Sequence, residues 1–145
     1  MAKYAQGIFI PKNPVKYIGK GNPVYRSSWE LAMMNMFDQH PNVAQWASES
    51  IQIPYRNPLT QKNTIYVPDF FVYYIDKNGR KVGELIEIKP RRETTMEAAK
   101  SKQDKLRVII NQAKWAAATA WCRNNGLTFR IMSEDSLFRN SGVKK

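Results

Sequence analysis

The segment TIYVPDFFVYYI-DKNGR-KVGELIEIKP, residues 64–90, constrains this chain more than any other. Its first run is apolar on both faces and rich in β-branched and aromatic residues, the composition of a strand in the middle of a sheet. Asn78-Gly79 is a turn signal, so the second run returns as the next strand of an antiparallel hairpin. If DKNGR is a five-residue loop, Ile75 faces Lys81, and counting outward residue for residue places Asp69 opposite Glu87. Directly opposed residues share a sheet face, with Cβ atoms about 4.5–5.5 Å apart. Lys89 follows Glu87 by two positions and lies on that face as well.

Two carboxylates at such a distance repel by about 3 kcal/mol at an effective dielectric near 20. Both stay ionised cheaply only with a cation between them. The donor set is carboxylate oxygen, to which water and a substrate phosphate can be added, and that set suits Mg²⁺ or Mn²⁺. His40 is the only histidine, which excludes a multi-histidine transition-metal site. The carbonyl of Ile88 is a further expected ligand. A surface Glu87–Lys89 pair would contribute under about 1 kcal/mol, but the apolar flanks of LIEIK argue for burial. Asp69 lies inside an apolar run, where an unpaired carboxylate is costly. Glu84 is on the other face of its strand and is expected to face solvent.

Around the hairpin the chain reads as one domain. Residues 1–24 are rich in Pro, Gly and Lys and lack periodicity, as in an arm or an irregular wrap. Ser27-Ser28-Trp29-Glu30 has a capping-box pattern and predicts a helix from Ser27 to about His40-Pro41. The capping box alone would explain Glu30; however, Glu30, Met33, Met34 and Phe37 fall at i, i+3, i+4 and i+7, which points Glu30 inward. WASESIQIPY reads as a strand with Ile51, Ile53 and Tyr55 alternating, and Asn57-Pro58 turns the chain. A long helix is predicted from about Thr95 to Asn125, with Leu106, Ile109, Ile110, Ala113, Ala117, Ala120 and Trp121 on one face and Gly126 as its stop. Trp115 and Trp121 are expected to pack inward rather than to stack on bases. LTFRIM is one more strand, and Ser133-Glu134-Asp135 opens a last helical turn. The order helix, three strands, long helix, strand predicts an α/β fold, a mixed sheet flanked by helices. The expected division is a basic arm 1–24, a domain 25–138 and a basic tail 139–145.

The formal charge of +11 points to a polyanionic partner. A solvated basic surface or attraction to anionic lipid is the alternative, but no amphipathic membrane anchor is evident and the paired carboxylates call for a phosphate substrate, so nucleic acid, as double-stranded DNA, is the expected partner. Residues 1–29 hold Lys3, Lys12, Lys16, Lys20 and Arg26 without an acid. A second cluster holds Lys89, Arg91, Arg92, Lys100, Lys102, Lys105 and Arg107. Several phosphate contacts from these would give salt-sensitive affinity. The single cysteine, Cys122, allows no intrachain disulfide and no Cys-rich zinc cluster. No run is apolar enough for a membrane span and no leader pattern opens the chain, so a soluble, unexported protein is expected. No Gly-rich phosphate loop appears, so no nucleotide cofactor is expected.

Pro68-Asp69 followed by Glu87-Ile88-Lys89, with the upstream Glu30 helix and a basic helix afterwards, resembles the PD-(D/E)xK nuclease superfamily. YRSSWE and PDFFVYYIDKNGRKVGELIEIKP are similar to the endonuclease subunit of bacterial cut-and-paste transposons. From PKNPVKY through YRSSWE, IPY, IEIKP and AKW to FRIMSED, nearly the whole chain resembles the head completion protein family of T-even-type tailed phages. The resemblance implies a restriction-endonuclease-like fold and a Mg²⁺-dependent endodeoxyribonuclease. Asp69 and Glu87 would be metal ligands, Glu30 a ligand or orienting acid, and Lys89 the residue that positions water and stabilises charge at the phosphate. Arg91, Arg92 and Lys114, with Lys102 and Lys105 of the basic cluster, are the expected DNA-backbone contacts. It also implies a role in head completion after DNA packaging, in the host cytoplasm during assembly or at the virion head or neck, with portal or neck proteins as partners. Three readings stand at this point: an active nuclease, a structural head or neck protein without turnover, and a transposition endonuclease that needs a partner for sequence choice.

Overall fold

The computed structural model describes residues 6–134. Lys3, the tail 139–145 and the end of the turn expected at Ser133-Glu134-Asp135 lie outside the described residues. The elements in chain order are β1 (Gly7–Ile8), β2 (Val24–Tyr25), α1 (Ser28–Gln39), β3 (Val43–Ser48), β4 (Ile53–Arg56), β5 (Asn63–Tyr66), β6 (Phe70–Ile75), β7 (Lys81–Ile88), α2 (Lys102–Asn124) and β8 (Thr128–Met132). The main sheet has the order β3-β6-β7-β8. Its first three strands are antiparallel and β8 runs parallel to β7. A parallel pair needs a crossover, and α2 supplies it. The result is the mixed α/β single domain expected, with the restriction-endonuclease-like layout.

The β6–β7 hairpin has the predicted register, from Ile75↔Lys81 to Phe70↔Ile86. Asp76 fixes the loop by accepting the backbone N–H groups of Asn78 and Arg80 on Oδ1, each at 2.9 Å. Gly79 takes a φ of +79°, which a side chain would resist.

Two predicted strands are each broken in two. TIYVPDFFVYYI divides at Val67-Pro68-Asp69 into β5 and β6, because Pro68 offers no N–H to a ladder. WASESIQIPY divides into β3 and β4 at Glu49, whose φ of +50° turns the chain out of the main sheet. β4 and β5 then pair with each other as a separate ribbon. Asp69 itself lies in the connection between β5 and β6, and the Glu49 N–H at the other break donates to its carbonyl at 3.0 Å.

α1 and α2 begin in the same way. Ser27 Oγ accepts the N–H of Glu30 at 3.1 Å, and Glu30 Oε1 accepts the N–H of Arg26 at 3.2 Å. Ser101 Oγ accepts the N–H of Asp104 at 3.0 Å, and Asp104 Oδ2 accepts the N–H of Lys100 at 3.1 Å. The second cap explains why α2 starts at Lys102 rather than near Thr95. The buried stripe of α2 is Asp104, Val108, Asn111, Trp115, Ala118 and Cys122, not the predicted face. Counting apolar residues alone missed it because Asp104 and Asn111 point inward for polar reasons: Asp104 closes the cap, and Asn111 Nδ2 donates to the Glu93 carbonyl at 3.0 Å.

The sheet separates two cores. On one face Met33, Met34 and Phe37 of α1 pack against Trp46, Phe70, Val72, Ile86 and Met132. On the other, Trp115, Ala118 and Cys122 of α2 pack with Ile53, Tyr66, Phe71 and Leu85, and Trp121 lies partly buried against them. With both faces covered, Glu84 is buried rather than solvent-facing. Arg130 of β8 pairs with it at 3.1 Å, and Thr128 Oγ1 donates to it at 3.4 Å.

The N-terminal segment is fastened to α1. Buried Asp38 accepts the backbone N–H groups of Lys12 at 3.0 Å and Asn13 at 2.9 Å. Lys16 Nζ donates to the carbonyls of Asp38 and His40, at 3.0 and 2.8 Å, and so caps the C-terminal end of α1. Phe9 and Tyr17 complete the attachment by packing edge-on against Trp46.

Candidate active site

Asp69 follows Pro68, just ahead of β6, and Glu87 lies near the end of β7. The hairpin register brings them into contact by two reciprocal hydrogen bonds. The Asp69 N–H donates to Glu87 Oε1 at 3.3 Å, and the Ile88 N–H donates to Asp69 Oδ2 at 2.8 Å. Lys89 Nζ lies 3.7 Å from Glu87 Oε2. The three side chains grouped by strand counting are therefore together. They face α2, on the side of Phe71 and Leu85.

Burial raises the pKa of both carboxyls, and the charge of Glu87 raises that of Asp69 further. The Ile88 N–H partly offsets the shift of Asp69, while Lys89, Tyr66, the Asp69 N–H and Lys114 partly offset that of Glu87. A buried carboxylate pair of hard oxygen donors that resist joint ionisation, next to an ammonium group, fits Mg²⁺ or Mn²⁺.

Glu30 stands farther back. Its oxygens face the Arg26 N–H at 3.2 Å and Ser27 Oγ at 3.4 Å, and its charge is felt at Asp69 without a direct contact. Burial raises its pKa too. Among the described residues no group of three or more His, Cys, Asp or Glu side chains forms a ready metal cage. Two protein carboxylates completed by water and phosphate oxygens is the arrangement that Mg²⁺ commonly accepts.

A pH-dependent result is expected from this pair. Carboxyls whose folded pKa is raised favour the fold below the ordinary carboxylate range, and that contribution is lost as pH rises through the raised values. A divalent ion bound to the ionised pair opposes the loss. Thermal melts should show a larger stabilisation by Mn²⁺ at pH 8 than at pH 5. Equal shifts at the two pH values would count against ion binding at Asp69 and Glu87.

The other candidates are spread more widely. Lys114 is half-buried on α2, with its charge felt at Glu87, Asp69 and Lys89, and its Nζ lies 5.6 Å from the centre of the Tyr66 ring. Burial and Lys89 lower its pKa. Arg91 and Arg92 lie on the 3-10 turn after β7. The Arg91 N–H donates to Glu134 Oε1 at 2.9 Å, and the Arg92 side chain pairs with Asp104 at 3.6 Å. Lys102 and Lys105 are exposed on the first turn of α2.

Strand counting did not find three residues at this end of the sheet. Glu49 donates its N–H to the Asp69 carbonyl at 3.0 Å, and both of its carboxylate oxygens lie on Arg26 Nη1, at 2.6 and 2.7 Å. No motif marks Glu49 or Arg26, since the chain reversal at Glu49 is what brings them close. Tyr66 reads as one more strand aromatic, yet it is buried beside Glu87.

A family model described as TnsA-like endonuclease, N terminal, matches residues 40–134. The chain belongs to this family. The match includes Asp69, Glu87, Lys89 and Lys114, and begins after Glu30. The head completion nuclease of Enterobacteria phage T4 is 33% identical over 142 residues, covering 90% of this chain and 92% of that protein. Endonuclease chemistry thus belongs to the family, and the paired carboxylates are where the geometry can support it.

Proposed function

We propose that this TnsA-like endonuclease is a divalent-metal-dependent DNA endonuclease of PD-(D/E)xK type that acts in completing a tailed-phage head. The contact between Asp69 and Glu87, with Lys89 Nζ 3.7 Å from Glu87, carries the catalytic part. The similarity to a head completion nuclease along 92% of that protein's length supports the assembly part. Such a role places the protein in the host cytoplasm during assembly, with portal or neck proteins as partners.

Asp69 and Glu87 would hold the ion, with Glu30 placed to orient water or to complete the ligand set. Mg²⁺ or Mn²⁺ supplies, when bound, a lowered water pKa and a counter-charge for the phosphate. Lys89 contributes a fixed positive charge at the scissile phosphate, where a preorganised cation in a partly dry site costs no reorganisation. Lys114 adds a second positive charge from α2. The burial of Glu87 and the contacts of Asp69 hold both acids in place before substrate arrives. Arg91, Arg92, Lys102 and Lys105 form a basic approach beyond Lys89 for the DNA backbone.

The direct test is nicking of supercoiled plasmid by purified protein in Mg²⁺ or Mn²⁺, with a chelator control. No ion-dependent nicking on any DNA form would favour a head protein without turnover and overturn this reading. DNA affinity should also fall steeply with salt. With about six phosphate contacts, binding weakens roughly a thousandfold between 50 and 200 mM salt. A flat response in a fluorescence-anisotropy titration would remove the basic surface from the account.

A further inference from the structure

Two buried polar atoms beside the acids close no hydrogen bond among the described residues: the Tyr66 hydroxyl and the Trp115 indole N–H. Buried donors are costly when unpaired, so two of them side by side ask for a reason. Tyr66 and Trp115 belong to the same apolar cluster as Phe71 and Leu85. Asp69 and Glu87 continue those two strands on that face. The hydroxyl faces the Glu87 carboxylate, and the indole N–H faces the hydroxyl, each near enough to influence its neighbour but short of full hydrogen-bond geometry. Lys114 Nζ, 5.6 Å from the ring centre, approaches Tyr66 from α2.

We propose that Tyr66, backed by Trp115, is a positioning residue for Glu87: indole N–H toward phenol oxygen, and phenol O–H toward carboxylate, form a short chain of donors that orients Glu87 to take up a divalent ion. Ligating carboxylates need such partners, because a carboxylate free to rotate loses ordering entropy each time it binds. The Asp69 N–H already engages Oε1 of Glu87, and Lys89 lies near Oε2. The hydroxyl adds a neutral donor that restricts rotation without competing with the ion as a charge. The break at Pro68 makes this possible, since β5 leaves the main sheet there and returns Tyr66 over Glu87 from the β4–β5 ribbon.

This inference rests on Asp69 and Glu87 being the metal-binding pair, and the experiment separates the two claims. Mn²⁺ binding is measured by calorimetry without DNA for wild type, Asp69→Ala, Tyr66→Phe and Trp115→Phe, and melting temperatures are taken in EDTA. Asp69→Ala is expected to abolish uptake. Tyr66→Phe should bind Mn²⁺ about tenfold more weakly, and Trp115→Phe should show a smaller loss. In EDTA, Tyr66→Phe should melt close to the wild-type temperature, because the ring is kept and the hydroxyl closes no full hydrogen bond in the ion-free fold. Wild-type Mn²⁺ affinity in Tyr66→Phe would overturn the positioning role and leave the metal pair standing. Weaker binding with a lower melting temperature in EDTA would make Tyr66 a structural strut and also overturn it. No Asp69-dependent uptake by wild type would overturn both claims.

Discussion

Asp69→Ala and Glu87→Ala are each expected to lower ion-dependent DNA nicking by roughly a thousandfold or more, the scale on which removal of a preorganised electrostatic group acts. The proteins should nonetheless remain folded. Each carboxyl is raised in pKa by burial, so its ionised form opposes folding at neutral pH, and its removal relieves the other. Stability and activity should therefore move in opposite directions, with melting temperature in EDTA unchanged or higher while nicking disappears. DNA binding without metal should persist, because Arg91, Arg92, Lys102 and Lys105 are untouched. Plasmid nicking, melting and DNA-binding titrations on the same preparations check all three. If either variant nicks at the wild-type rate, the site lies elsewhere.

Asp38→Ala should produce the largest loss of stability. Asp38 is 1% exposed and its carboxylate accepts the N–H groups of both Lys12 and Asn13. Hydrogen bonds to a charged group contribute about 1.5–3 kcal/mol each, and here the donors retain partial access to water, so a combined loss of about 3 kcal/mol is expected. For a chain of this size that is a fall in melting temperature of roughly 10 °C. The N-terminal segment should also become sensitive to limited proteolysis, since its carboxylate anchor on α1 would be gone. A fall of under about 2 °C would show that Phe9, Tyr17 and Lys16 hold the segment without the carboxylate.

The Asp69–Glu87 contact is legible because everything that sets it is local. A five-residue loop closed by Asp76 fixes the hairpin register, and the strand period of two carries Asp69, Glu87 and Lys89 to one face. The Ser27 and Ser101 caps are local in the same sense; the S-x-x-E pattern announces the first, and helix-like composition from Thr95 onward masks the second. Arg26 and Glu49 were not legible, because they meet only where two distant segments cross.

The sequence by itself determined the hairpin, its register, the first helix with Glu30 on its inward side, and a basic chain with one carboxylate pair. It could do so because turn chemistry and side-chain period act over a few residues. Only the tertiary structure decided that the apolar runs break at Glu49 and Pro68, that Glu84 is buried against Arg130, that α2 turns Asp104 and Asn111 inward, and that Tyr66 is buried beside Glu87 in the cluster that holds Trp115. Those outcomes depend on which strand pairs with which across long stretches of chain, and on polar groups that find their partners only when distant segments pack together.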